Sequence, residues 1–272
     1  PTEICDLSVN IYYGTGSKIE WNNLLKFVAE MSGKGEKFFR FKHFTMLNDV
    51  KGLKIGTDGV LLGAWAGVAS AGDVWDVGAG TGLISLMLAQ RYNNSVTAFE
   101  CDAEACEVIR RNFREFPIKN GRLTVVEGDV FQTSEDVKEN PSVIVSNPPF
   151  YATERSLAAL GDARDKARRE GRLSAVSLIK LAAKKLLPGG RLFLISPSDR
   201  EDEIEWHCSL EKLYVSRRCF VTSKEGKQPF RIMWEIITDA CEPQTERLCI
   251  RNSAGEFTEQ YKELTKDYYI WI

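Results

Sequence analysis

The chain predicts an α/β fold with a doubly wound, mostly parallel sheet of seven strands, on three observations. From Asp73 onward, short apolar runs alternate with segments of helical length and periodicity. Such alternation implies parallel strands joined by right-handed helical crossovers. The last two strands have only a short loop between them, so the final one must run antiparallel.

Residues 1–36 are expected to be an extension, with a short helix over Glu20–Met31, and residues 37–272 to form a single domain. Phe38–Phe44 interleaves aromatics with charge and is predicted as a strand. Asp49–Gly52 supplies a turn, and Leu53–Ile55 the returning strand. A helix over Val60–Ala66 follows, with Thr57 or Asp58 as its cap. Val74–Val77 is the first strand of the main sheet; the tight turn Gly78-Ala79-Gly80-Thr81-Gly82 leads to a helix over Leu83–Arg91. Ser95–Glu100 is the second strand, and Ala103–Phe116 the next helix, stopped by Pro117. Leu123–Val126 and Ser142–Val145 are the third and fourth strands. A helix over Leu173–Leu187 ends at Pro188-Gly189-Gly190, and Arg191–Ser196 is the fifth strand. Glu201–Leu210 is a helix, Tyr214–Val221 and Phe230–Thr238 are the last two strands, and a final helix spans Thr258–Lys266.

Composition narrows the function. The 272 residues, 43% hydrophobic, suffice for one sizeable core. A formal net charge of −2 does not indicate a strongly basic nucleic-acid binder, so any cationic surface must be local. No run of about 18 apolar residues spans a membrane, and no signal peptide is visible. Seven cysteines without a C-x-x-C pair suggest reduced thiols, hence a cytoplasmic protein. With only two histidines, His43 and His207, no metal site is expected. A monomer is expected.

In an open α/β sheet, ligands bind beyond the C-terminal strand ends. The first strand here brings Asp76 and the turn with Gly78, Gly80 and Gly82. The second ends in Glu100, the third leads to Asp129, and the fourth to Asn147-Pro148-Pro149-Phe150. The glycine spacing is G-x-G-x-G, whereas a pyrophosphate-binding turn has G-x-G-x-x-G. Glu100 can accept two ribose hydroxyls, and Asp129 an adenine amine. A phosphate-free nucleoside with a charged aliphatic tail fits S-adenosylmethionine better than NAD.

The two prolines of Asn147-Pro148-Pro149-Phe150 remove backbone donors and fix φ, so the strand cannot continue. A rigid turn remains, presenting the Asn147 side-chain oxygen and the Pro148 carbonyl, with the Phe150 ring as an apolar plane. Two acceptors beside an aromatic plane suit a flat group carrying an NH2.

Asp76–Gly82 and Asn147–Phe150 resemble the donor and amino-acceptor motifs of the class I methyltransferases, whose fold is Rossmann-like. Phe41-Lys42-His43-Phe44 and Lys54–Trp65 are similar to the start of the bacterial valine-tRNA adenine-N6-methyltransferases. Leu248–Arg251, Tyr261, Leu264-Thr265 and Tyr268-Tyr269 are similar to that family's end. The resemblance covers about Lys37 to Ile272. It implies methyl transfer from S-adenosylmethionine to the N6 amine of adenine 37, beside the anticodon of a valine tRNA. It also implies donor contacts from Thr57, Asp58, Ala79 and Val130 besides those above, with residues 37–72 capping the donor site. Phe150 stands where the family often has Tyr; stacking is kept and a hydroxyl is lost.

RNA needs local positive charge. Arg40 and Lys42 among aromatics form one candidate surface. Arg155, Arg164, Lys166, Arg168 and Arg169, just after the catalytic turn, form another, with Tyr151 beside the base. The alternatives are methylation of a glutamine amide in a release factor, a DNA adenine-N6-methyltransferase, and a non-catalytic donor- or RNA-binding protein.

Overall fold

The computed structural model describes residues 38–47, 55–68, 72–92, 94–116, 122–150 and 173–270. The expected helix over Glu20–Met31, Tyr151 and the basic cluster from Arg155 to Arg169 lie outside them.

Two short strands, β1 (Phe38–Arg40) and β2 (Thr45–Leu47), open the described chain, followed by α1 (Thr57–Trp65). Then come β3 (Val74–Val77), α2 (Leu83–Tyr92), β4 (Val96–Glu100), α3 (Ala103–Arg114), β5 (Leu123–Glu127), α4 (Val130–Thr133) and β6 (Val143–Ser146). The second half holds α5 (Ala175–Lys185), β7 (Arg191–Pro197), α6 (Glu201–Leu210), β8 (Tyr214–Thr222), β9 (Arg231–Ile237), β10 (Gln244–Cys249) and α7 (Glu259–Thr265).

The main sheet has the order β10-β8-β9-β7-β6-β3-β4-β5. It is parallel except around β9, which runs against both β7 and β8. The expected antiparallel last pair is therefore present. The strand count differs from the expected seven, because β10 adds an eighth, parallel to β8. Only Leu248 of β10 is buried, so this edge strand lacks the alternation that would have marked it.

Along the central strands, neighbours alternate between two cores. Val74, Val143, Val145, Phe193 and Ile195 face one side, with α1, α2 and Tyr261 of α7. Trp75, Ile144, Leu192, Leu194 and Trp234 face the other, with Leu178 and Ile179 of α5 and Ile204 of α6. Both faces are covered, which is why these strands are continuously apolar.

Two expectations near the amino-terminal end are corrected. The strand expected over Phe38–Phe44 stops at Arg40 and pairs with Thr45–Leu47, Arg40 standing opposite Thr45; most of the expected return strand Leu53–Ile55 lies outside the described residues. The turn closes early because the Phe41 N–H donates to the Phe44 carbonyl at 2.8 Å. α1 begins at Thr57 with Gly56 as N-cap and no side-chain cap, so neither Thr57 nor Asp58 has that role.

α1 lies close on α2. A Cβ at Gly63 would fall 2.7 Å from Met87 Sδ, so any larger residue there has to displace the buried Met87 side chain. Arg91 also donates to the Ala64 carbonyl at 2.6 Å. The β1–β2 hairpin is fastened at both ends. The Lys42 N–H donates to the Tyr268 carbonyl at 2.8 Å, and the Phe41 ring stacks on Tyr269. The Leu47 N–H donates to Asn112 Oδ1 at 2.9 Å.

Candidate active site

The chain order reverses between β3 and β6, and ligands of such sheets bind beyond the carboxyl ends of the strands at this point. Four predicted groups converge there: the glycine turn after β3, Glu100 at the end of β4, Asp129 just past β5, and Asn147 just past β6.

Gly78, Gly80 and Gly82 all hold positive φ, at 71°, 60° and 79°. Gly82 is further constrained, because a Cβ there would lie 3.0 Å from the Phe113 ring and 3.2 Å from Ile109. Asp76 lies beneath the turn, 1% exposed. Its Oδ2 accepts from the Ser85 N–H at 2.9 Å and the Ser85 hydroxyl at 2.7 Å, tying β3 to the first turn of α2. Burial pushes the Asp76 carboxyl up to about 6, against the pull of the Ser85 bonds and helped by the Glu100 charge. Ser146 extends the brace by donating to the Val77 carbonyl at 2.7 Å.

The Glu100 carboxylate organises the second strand end. Oε1 accepts from the Cys101 and Asp102 N–H groups at 2.8 and 3.0 Å, and Oε2 from the Gly80 N–H at 2.9 Å. A carboxylate has about four lone-pair sites. Oε2, facing the glycine turn, is the oxygen with room for a ligand hydroxyl. The Gly128 N–H donates to the Glu100 carbonyl, which draws the β5 exit against β4. Asp129 then caps α4 by accepting from the Phe131 N–H at 3.1 Å, and Val130 is buried.

At β6 the Asn147-Pro148-Pro149-Phe150 turn leaves the sheet. Asn147 Oδ1 is buried and has no hydrogen-bond partner among the described residues. Buried acceptors are normally paired, so an isolated one at a strand end marks a place for an incoming donor. Pro148 is buried, Pro149 exposed and Phe150 half-buried.

Thr57 is exposed. Asp58 turns away from its helix end to pair with Arg231 Nε at 2.9 Å. The Arg231 guanidinium lies 4.5 Å from the Phe150 ring centroid. Sequence reading missed Arg231, Ser85 and Ser146. A serine three residues after Gly82 was a local hint for Ser85; Arg231 had none, being 173 residues from Asp58. Arg40 and Lys42 are exposed on the β1–β2 hairpin.

Residues 55–204 match the methyltransferase small domain family. Among relatives, the tRNA1(Val) (adenine(37)-N6)-methyltransferase of Phocaeicola vulgatus is 38% identical over 86% of this chain and 97% of its own length. The protein of the same name from Bacteroides thetaiotaomicron is 37% identical over 86% of this chain and 98% of its own. Two solved structures share the fold. A methyltransferase from Pyrococcus furiosus has a TM-score of 0.56 at 19% identity, covering 82% of this chain and all of that one. A T. thermophilus 16S rRNA N2 methyltransferase, in complex with AdoMet and guanosine, has a TM-score of 0.51 at 20% identity, covering 75% and 50%.

Proposed function

The chain belongs to the tRNA1(Val) (adenine(37)-N6)-methyltransferase family, and from that premise we propose that it methylates the N6 amine of adenine 37 in a valine tRNA, using S-adenosylmethionine. The observation that carries the reading is the buried Asn147 Oδ1 on the turn after β6, without a hydrogen-bond partner among the described residues.

The donor set fits S-adenosylmethionine. Asp76, Glu100 and Asp129 stand at the strand ends, which suits a phosphate-free nucleoside with a positive charge. Glu100 Oε2 would accept a ribose hydroxyl, Asp129 and Val130 would border the adenine, and the turn from Gly78 to Gly82 would permit close approach of the backbone. The hairpin and α1 would cap this side, with Thr57 and Asp58 at the helix start. When bound, the cofactor supplies a methyl group activated by a sulfonium.

The protein's own task is alignment. The lone pair of an adenine amine is delocalised into the ring, which makes it a weak nucleophile. Asn147 Oδ1 and the Pro148 carbonyl accept the two N–H bonds, so the nitrogen lone pair turns out of the plane of the ring. No general base is required before attack, because the proton becomes acidic only once the nitrogen has gained its fourth bond. Phe150 provides the stacking plane. Held geometry of this kind lowers barriers by about 7–11 kcal/mol in the best intramolecular cases. A base in an anticodon loop reaches such a pocket by leaving its stack, as is usual for enzymes acting on bases.

The test uses radiolabelled donor with valine tRNA transcripts carrying adenine or guanine at position 37. Label on the first only, mapped to N6-methyladenosine at 37, supports the assignment. Equal labelling of both transcripts contradicts it.

A further inference from the structure

We propose that Arg231 is a positioning residue for the acceptor base, fixing the Phe150 ring so that the base stacks on the part of the ring left exposed; this rests on the function proposed above. Arg231 opens β9, opposite Pro197 at the end of β7, and so stands at the same edge of the sheet as the Asn147–Phe150 turn. Its guanidinium covers Phe150 at 4.5 Å and lies 5.1 Å from the Phe230 ring. Two bonds hold the guanidinium in place. Nε pairs with Asp58 Oδ2 at 2.9 Å, and Nη1 donates to the Phe230 carbonyl at 3.0 Å. Both partners of the ion pair are mostly buried, each with 19% of its side chain exposed.

Three consequences follow from this geometry. Phe150 is half-buried and packs against the core, so with the guanidinium over the ring the part that stays exposed is what the base meets. Asp58 offsets the Arg231 charge, so the stacking platform presents little net charge to a cationic donor. The ion pair also links the first turn of α1, on the donor side, to the aromatic platform on the acceptor side. Lysine cannot reproduce this arrangement, because an ammonium neither stacks as a plane nor forms the two bonds in a fixed fork. Arg231 itself contacts no reacting atom; it acts through Phe150.

The test is a double-mutant cycle on kcat/KM for tRNA, measured at saturating donor so that changes in donor affinity drop out. Arg231→Met and Arg231→Lys are each expected to lower kcat/KM about tenfold. Phe150→Leu should lower it further, and adding Arg231→Met to Phe150→Leu should cost less than about twofold, since residues acting through one contact are not additive. Effects that multiply in the double variant, or full activity in Arg231→Lys, overturn the proposal. Melting curves check folding, and Arg231→Lys carries the cycle if Arg231→Met does not fold. A wild-type protein that fails to methylate the tRNA, or an Asn147→Ala variant with unchanged turnover, overturns the functional reading and this proposal with it. Multiplying effects in an active wild type overturn this proposal alone.

Discussion

At the scale of single residues, Asp76 makes a prediction about pH. Its carboxyl sits at about 6 in the fold against 3.8 unperturbed, because burial disfavours the charge. Between those values the folded state holds more proton than the unfolded state. The stability contributed by Asp76 therefore falls as pH rises from about 4 to about 6 and is constant above. Asp76→Asn removes this dependence. The stability of Asp76→Asn relative to wild type should rise by on the order of 3 kcal/mol between about pH 4 and 7, as read from urea unfolding. Parallel stability curves would contradict the account. Asp76, Glu100 and Asn147 were legible because each lies at or beside the end of a predicted strand. Arg231 was not, because it opens a strand and its partners come from distant parts of the chain.

At the scale of elements, Asn112 of α3 joins the amino-terminal hairpin to the glycine turn. It accepts from the Leu47 N–H at 2.9 Å and donates to the Thr81 carbonyl at 2.9 Å, in a buried setting. Asn112→Ala leaves both backbone groups without a partner, at a cost of about 2–4 kcal/mol. The melting temperature should fall by roughly 5–15 °C, and donor affinity should drop with the loosened turn. An unchanged melting temperature would show that the bridge is dispensable. Helix α6 was predicted with its exact bounds, Glu201–Leu210, since its acidic first turn and buried Ile204 and Cys208 mark it clearly. The hairpin was misplaced because Gly52 looked like the turn, whereas the chain turns through Lys42-His43 without glycine. Strand β10 escaped notice because five of its six residues are partly or fully exposed.

At the scale of the whole molecule, a chain of net charge −2 that binds tRNA must concentrate its cations on one surface. Each phosphate neutralised contributes a slope of about −0.7 to −0.9 to the logarithm of affinity against the logarithm of salt. Binding of valine tRNA should weaken about tenfold or more between 50 and 200 mM salt, a figure set by roughly two or more phosphate contacts. A flat dependence would mean that recognition is chiefly stacking. The doubly wound, mostly parallel sheet was implied by the alternation of elements, while β10 and its direction were not, because a parallel edge strand leaves no local signature.

Asn147 Oδ1, buried and without a partner among the described residues, is proposed to receive the amine of the base. That role is tested most directly by single-turnover methyl transfer to valine tRNA by Asn147→Ala, paired with calorimetric donor binding. The expected rate is at least about a hundredfold below wild type, with donor affinity within a few-fold. A wild-type rate, or a loss explained wholly by weaker donor binding, would contradict it.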